Sequence, residues 1–282
     1  MKKNVFFLAA ALAAMCVACT NDSVEFVEQN DEMVDVTIGF GGFTFDEESM
    51  TRTASPVSDI CTHLDIFLSD GTTTTAYNQA TGDTGFGSLS LTLNVSKTYT
   101  LYAVAHKANG AATLSEGIIS FPDDKVTHTF FISRQFTPTK GMSLNLTMQR
   151  IVAQFSFTTT DQVPEWCKTM RFTISNVYDR WNVSTGGTHQ LDRVSTFQNF
   201  STKADGTVTF NIYAIVTDAQ TLHTVLVEGL DAQGDVQESH QFTNVPLRNN
   251  YKTVASGAFF TDASSTFSFL ADDWGADIDY DF

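Results

Sequence analysis

Charge is scarce in this 282-residue chain: Asp, Glu, Lys and Arg make up 17% of it, and the shortage is mostly basic. Sixteen Lys and Arg stand against 32 Asp and Glu, for a formal net charge of −16, and Lys2 and Lys3 sit in the extreme N-terminal segment. Phosphate backbones are bound by clustered Lys and Arg, so nucleic-acid binding is excluded. Long apolar runs are also missing. Residues 5–18 form the longest charge-free apolar stretch. At 14 residues it falls short of the ~20 that a spanning helix needs, so membrane attachment would have to be through lipid. Beyond that stretch no amphipathic pattern supports a helix of three or more turns, and no repeat of fixed short period occurs.

Signatures of chemistry are absent as well. The six histidines, His63, His106, His128, His189, His223 and His240, are scattered. No H-x-x-x-H occurs, and no C-x-x-C outside the N-terminal segment, so no metal-ligand spacing is present. There is no G-x-S-x-G elbow, P-loop or dinucleotide fingerprint. Asp123-Asp124 and Asp272-Asp273 are adjacent carboxylates, which a very acidic chain places in solvated turns. Trp166, Trp181 and Trp274 offer rings that stack on sugars, although a core role suits most of them. The residues support neither an enzyme nor a cofactor.

What the chain does have is aromatic and β-branched residues in alternation. It holds 24 Phe and 7 Tyr, types that suit a pleated, half-buried surface. Val34, Val36, Ile38 and Phe40 share one face of a strand. So do Leu89, Leu91, Leu93 and Val95; Leu101, Ala103 and Ala105; and Met142, Leu144, Leu146 and Met148. Ile151, Ala153, Phe155 and Phe157 follow, then Phe172 with Ile174, Val208 with Phe210 and Ile212, and Val225 with Val227. Turn signals separate them at Asp70-Gly71, Gly82-Asp83, Gly186-Gly187, Asp205-Gly206 and Gly234-Asp235. Residues 161–168 are compatible with one helical turn, with Asp161 as N-cap and Pro164 early in it. Many short strands with Gly and Asx turns predict an all-β chain of β-sandwiches. The break near Pro138 and Gly141 places one sandwich at residues 34–148 and a second at 149–282.

Residues 1–18 have a basic start and an apolar middle, as a secretory signal peptide does. Cys16-Val17-Ala18-Cys19 resembles a bacterial lipobox, with Cys19 as the acylated residue and Cys16 standing where Leu is usual. Several acyl chains on one cysteine hold a membrane far more firmly than one. Residues 19–33 are polar and acidic and read as a flexible tether. Within them Asp22-Ser23-Val24 resembles a Bacteroidetes O-glycosylation pattern with Ser23 as acceptor; the plain reading is solvated linker. An exported setting permits a disulfide between Cys61 and Cys167, but they fall in different halves, and buried free cysteine is common.

Several segments resemble the fimbrillin and fimbrial-anchor lipoproteins of Bacteroidetes, subunits of type V pili. Residues 144–165, LNLTMQRIVAQFSFTTTDQVPE, show a strand ending in a basic residue (Arg150), an apolar-Ala opening (Ile151-Val152-Ala153) and an Asp…Pro turn (Asp161…Pro164). Residues 248–261, RNNYKTVASGAFFT, resemble the family's Arg-Asn…Lys-Thr…Gly…Phe-Phe-Thr strand. Asp272-Asp273-Trp274-Gly275 then follows, as in many members. Thr51-Arg52-Thr53, after an initial strand, is similar to the early Thr-Arg segment of the fimbrillin-like branch.

The resemblance implies two tandem transthyretin-like β-sandwich domains after a lipoprotein signal peptide, and assembly with other fimbrial subunits by strand exchange. A sandwich lacking one strand exposes an apolar groove and unpaired backbone, and an incoming strand satisfies both. In polymerising members a trypsin-like protease cuts after an arginine beyond the first strand. The matching bond here is Arg52-Thr53, in the polar stretch after residues 34–45; the other reading is an ordinary loop arginine, with the first strand retained. Ile278, Tyr280 and Phe282 alternate with aspartates as an acidic, protected edge strand or as an insertable segment. The expectation is therefore a non-enzymatic structural and adhesive lipoprotein on the cell outer membrane or in a fimbrium. It would be held by lipid (palmitate) on Cys19 and able to contact host or bacterial surfaces. The alternative is a glycan-binding surface lipoprotein that does not polymerise.

Overall fold

The computed structural model describes residues 32–44, 57–198, 200, 206–217, 219–261 and 268–273. Strands β1 (Met33–Thr44), β2 (His63–Ser69), β3 (Thr74–Ala80), β4 (Ser88–Asn94) and β5 (Tyr99–His106) come first, with a four-residue helix α1 (Val57–Ile60) before β2. The short strands β6 (Thr113–Ser115) and β7 (Ile118–Ser120) precede β8 (Phe130–Phe136) and β9 (Met142–Arg150). The remainder is β10 (Ala153–Thr159), β11 (Thr169–Asn182), β12 (Gly186–Gln198), β13 (Val208–Ala214), β14 (Thr221–Leu230), β15 (Val236–Leu247), β16 (Tyr251–Gly257) and β17 (Ser268–Asp273). The chain is all-β and builds β-sandwiches, as the alternating residues predict.

The first sandwich is one hydrogen-bonded sheet in the order β3-β2-β5-β8-β9-β1-β4. Strands β8 and β9 pair only through Phe130↔Arg150 and Phe131↔Gln149, so the sheet folds over there into two leaves. Their inner faces meet around Ile38, Leu64, Ile66, Leu101, Phe130 and Met148, all under 2% exposed. At the open end the Gln79 carboxamide joins the outermost strands. Its Nε2 donates to the Ser88 carbonyl at 2.7 Å, and its Oε1 accepts the Gly87 N–H at 2.9 Å.

In the second sandwich, the four-stranded sheet β13-β10-β16-β17 faces the larger sheet β15-β14-β11-β7-β6, with β12 also paired to β11. A Phe-rich core lies between them, centred on Phe155, Phe157, Phe172, Phe210 and Phe259. The long strand β11 serves two neighbours because its register shifts between Ile174 and Val177, where Asn176 has φ 55. Such a bulge turns a strand away from its first partner. Residues 169–174 pair β14, and residues 180–182 pair β7.

Strand β7 belongs to an excursion, residues 107–129, that leaves the first sandwich after β5 and returns at β8. It is held at both ends of its path. On the first sandwich, buried Asp65 Oδ2 accepts the Ala112 N–H at 2.7 Å and pairs with His106 Nε2 at 2.9 Å. His106 Nδ1 accepts the Ala108 N–H at 3.1 Å, so Nε2 carries the proton given to Asp65. On the second, the buried Arg193 guanidinium donates to the Asp124 and Val126 carbonyls at 3.3 and 3.0 Å. A third apolar cluster, including Phe67, Val104, Ile119, Val126, Val152 and Ile215, fills the space between.

Two expectations change. Residues 161–168 form no helix; the Asp161 carboxylate is engaged by backbone far away in sequence, described below. Gly186 and Gly187 do not form a turn but open β12, the turn itself being 183–185.

Candidate functional site

Among the described residues, the feature that could act on another chain is the seating of β1. Its alternation places Val34, Val36, Ile38 and Phe40 at 6%, 1%, 0% and 3% exposure, while Asp35 and Thr37 face solvent. Both edges of the strand are paired through its middle. Met33 to Gly39 run antiparallel to Asn94 to Ser88 of β4, and Val36 to Phe40 run parallel to Met142 to Leu146 of β9, with a register shift before Phe43. Strand β1 therefore fills a groove whose walls are two other strands and whose floor is the first core. Burying a Val, Ile or Phe side chain contributes ~1.5–3 kcal/mol, so four amount to ~6–12 kcal/mol, the scale of a whole domain's stability.

Residues 45–56, which include Arg52 and Thr53, lie outside the described residues. So do Cys19 and Ser23, the tether up to residue 31, Trp274, and the terminal Ile278, Tyr280 and Phe282. At the other end of the fold, β17 pairs β16 antiparallel, from Tyr251↔Asp273 to Ser256↔Ser268, and closes its sheet as the last strand.

The two central segments that carry the fimbrillin resemblance meet in space. Residues 153–159 and 252–257 are the parallel pair β10 and β16, from Gln154↔Lys252 to Thr159↔Gly257. At one end buried Arg150 donates through Nε to His128 Nε2 at 2.8 Å and through a terminal nitrogen to Asn250 Oδ1 at 3.1 Å. At the other, Asp161 accepts the Phe259, Phe260 and Thr261 N–H groups at 2.9, 2.5 and 2.8 Å, and the hydroxyls of Thr159 and Thr261. Partial burial would raise the Asp161 pKa, but these hydrogen bonds outweigh it and hold the carboxyl below its usual value.

Other polar residues are tied into the fold. His128 is buried and neutral, its pKa pushed well below the ordinary value by burial, with the Arg150 and Lys107 charges adding to the shift. His189 pairs with Asp179 at 2.7 Å, His223 Nδ1 with the Ser175 carbonyl at 2.7 Å, and His240 with Glu238 at 3.1 Å. Among the described residues no three His, Cys, Asp or Glu side chains converge as a metal site. Asp123 and Asp124 lie exposed in a 3-10 turn. Trp166 packs edge-on against Phe260 beside the second core. Cys61 and Cys167 are free, buried in different cores, and burial raises both thiol pKa values.

Residues 120–282 match the model of a family described as a family of unknown function (DUF6562). A comparison with curated proteins returns no match. Among solved structures, a candidate adhesin from Bacteroides ovatus superposes with a TM-score of 0.53 at 11% identity, over 84% of this chain and 96% of that one. Candidate polysaccharide-binding proteins (DUF1812) from Bacteroides thetaiotaomicron give 0.52 at 12% identity, over 88% and 99%. A candidate cell adhesion protein from Bacteroides ovatus gives 0.51 at 14% identity, over 87% and 99%. The likeness is one of fold along nearly the full length of each.

Proposed function

The chain belongs to the family of unknown function DUF6562, and we propose that it is a fimbrial subunit or fimbrial anchor of a Bacteroidetes cell surface. It assembles with neighbouring subunits by β-strand donation and has no enzymatic role. The observation that carries this reading is the one-faced burial of β1. Four alternate side chains enter a groove between β4 and β9, while the opposite face of the strand is solvated. A strand held this way can be replaced by any other with the same alternation, because its contacts are main-chain hydrogen bonds plus pockets for alternate residues.

The surrounding sequence fits that use. Cys19 would carry the lipid that holds the chain to the outer membrane, and residues 19–33 would be the tether. Arg52-Thr53, in the polar segment after β1, would be the bond whose cleavage frees the strand. In an anchor that bond stays intact, and β1 links the sandwiches to the lipid. Relatives in fold that are described as adhesins and cell adhesion proteins support a surface role.

The test is the N-terminal sequence and mass of the protein from its native cells. A lipidated start at Cys19 marks an anchor or an unprocessed subunit, and a start at Thr53 marks strand removal and polymerisation. An unlipidated start elsewhere removes the basis of the proposal.

A further inference from the structure

The seating of β1 leaves unexplained a glycine pair in the second sandwich. Gly186 and Gly187 lie opposite Asn182 and Trp181 of β11. A Cβ on Gly187 would fall 2.7 Å from Cδ2 of Tyr178, too close for any side chain, and one on Gly186 would meet the Trp181 ring at 3.6 Å. Gly187 thus lets the Tyr178 ring close directly onto the backbone, and beside this contact lies a recess of about 220 Å³ lined by Tyr178, Trp181, Gly186 and Val216 and rimmed by Thr185 and Thr217.

The wall of the recess at Val216 is clamped by Asn249, which accepts the Val216 N–H at 3.1 Å and donates to its carbonyl at 2.8 Å. Trp181 is braced by Phe131, with ring centroids 5.6 Å apart. Its indole Nε1–H is sealed from solvent, so the ring contributes its carbon surface to the recess.

We propose that this recess is a subsite for one uncharged pyranose residue of a glycan. Its volume is below the ~300–1,000 Å³ of drug-sized sites, which suits a single ring. Tyr178 and Trp181 line the recess with ring surface, which suits the apolar C–H face of a sugar. The Thr217 hydroxyl donates to the Ala219 carbonyl at 2.9 Å and so offers an acceptor to the ligand. The Thr185 hydroxyl can donate or accept. A net charge of −16 disfavours an anionic ligand. This inference does not depend on strand donation.

The test is saturation-transfer NMR on the full chain with the methyl pyranosides of glucose, galactose, mannose and N-acetylglucosamine, and adenosine as a control. Saturation should reach the ring C–H protons of at least one pyranoside at millimolar concentration. Adding that pyranoside should also shift one indole resonance of the protein, identified as Trp181 by its loss in Trp181→Phe. Thr185→Val, on the exposed rim, should fold normally and weaken binding roughly fivefold, as loss of one neutral hydrogen bond does. No transfer to any pyranoside, transfer unchanged in both variants, or preference for adenosine would overturn the proposal.

Discussion

Strands β1 and β10 occupy the same place in their sandwiches: each lies between an antiparallel neighbour, β4 or β13, and a parallel one, β9 or β16. Their surroundings differ. Strand β1 is buried on one face, with Asp35 and Thr37 exposed, whereas in β10 even Gln154 and Ser156 are buried alongside Phe155 and Phe157. Strand β10 is also pinned at its ends, by Arg150 with Asn250 and by Asp161 with residues 259–261. Under the proposed function, the same topology provides one strand suited to exchange and one that is fixed. The difference lies in the second face and the two pins.

The largest expected effect that sharpens this contrast is in the fixed strand. Phe157→Ala should destabilise the second sandwich by ~3–5 kcal/mol, measured as the shift of the urea midpoint. In β1, Ile38→Ala should cost ~2–4 kcal/mol and make its amides exchange with deuterium much faster than those of β10. Equal protection of both strands would erase the contrast.

The Arg150 pin should matter next. Arg150→Met removes a charged donor from His128 and Asn250 and should cost about 2–3 kcal/mol. The same pin carries a pH dependence. Burial lowers the folded-state His128 pKa well below the ordinary histidine value of about 6.5. The neutral imidazole is therefore favoured by folding, and the stability it contributes is complete above the unfolded value. That contribution is lost as pH falls below about 6.5 toward the folded pKa. The urea midpoint should drop between pH 7 and 5, and His128→Gln should flatten that drop. At the opposite pin, Asp161→Asn should cost about 1–3 kcal/mol and loosen residues 259–261, seen as faster amide exchange there.

One-faced strands were legible in the sequence because a solvated face forces period two: β1 and β9 show it residue by residue. Strand β10 was legible only in half, since nothing in the pattern marks Gln154 or Ser156 as buried. The excursion that carries β6 and β7 was not legible, because three-residue strands have too few alternations to register. The partners of Arg193 and Asp161 were missed for a different reason. They lie 67 and about 100 residues away in sequence, and a local rule reads Asp before Pro as a helix cap. Of the site itself, the β1 alternation could be read from residues and Arg150 from the family resemblance, but not the groove walls, which are set by long-range register.

Cleavage of the purified chain after Arg52 tests the exchangeability of β1 most directly. Limited trypsin followed by native mass spectrometry should show residues up to 52 leaving, with the remainder forming oligomers linked through refilled grooves. A nicked chain that keeps its first strand and stays monomeric on long incubation would contradict the account.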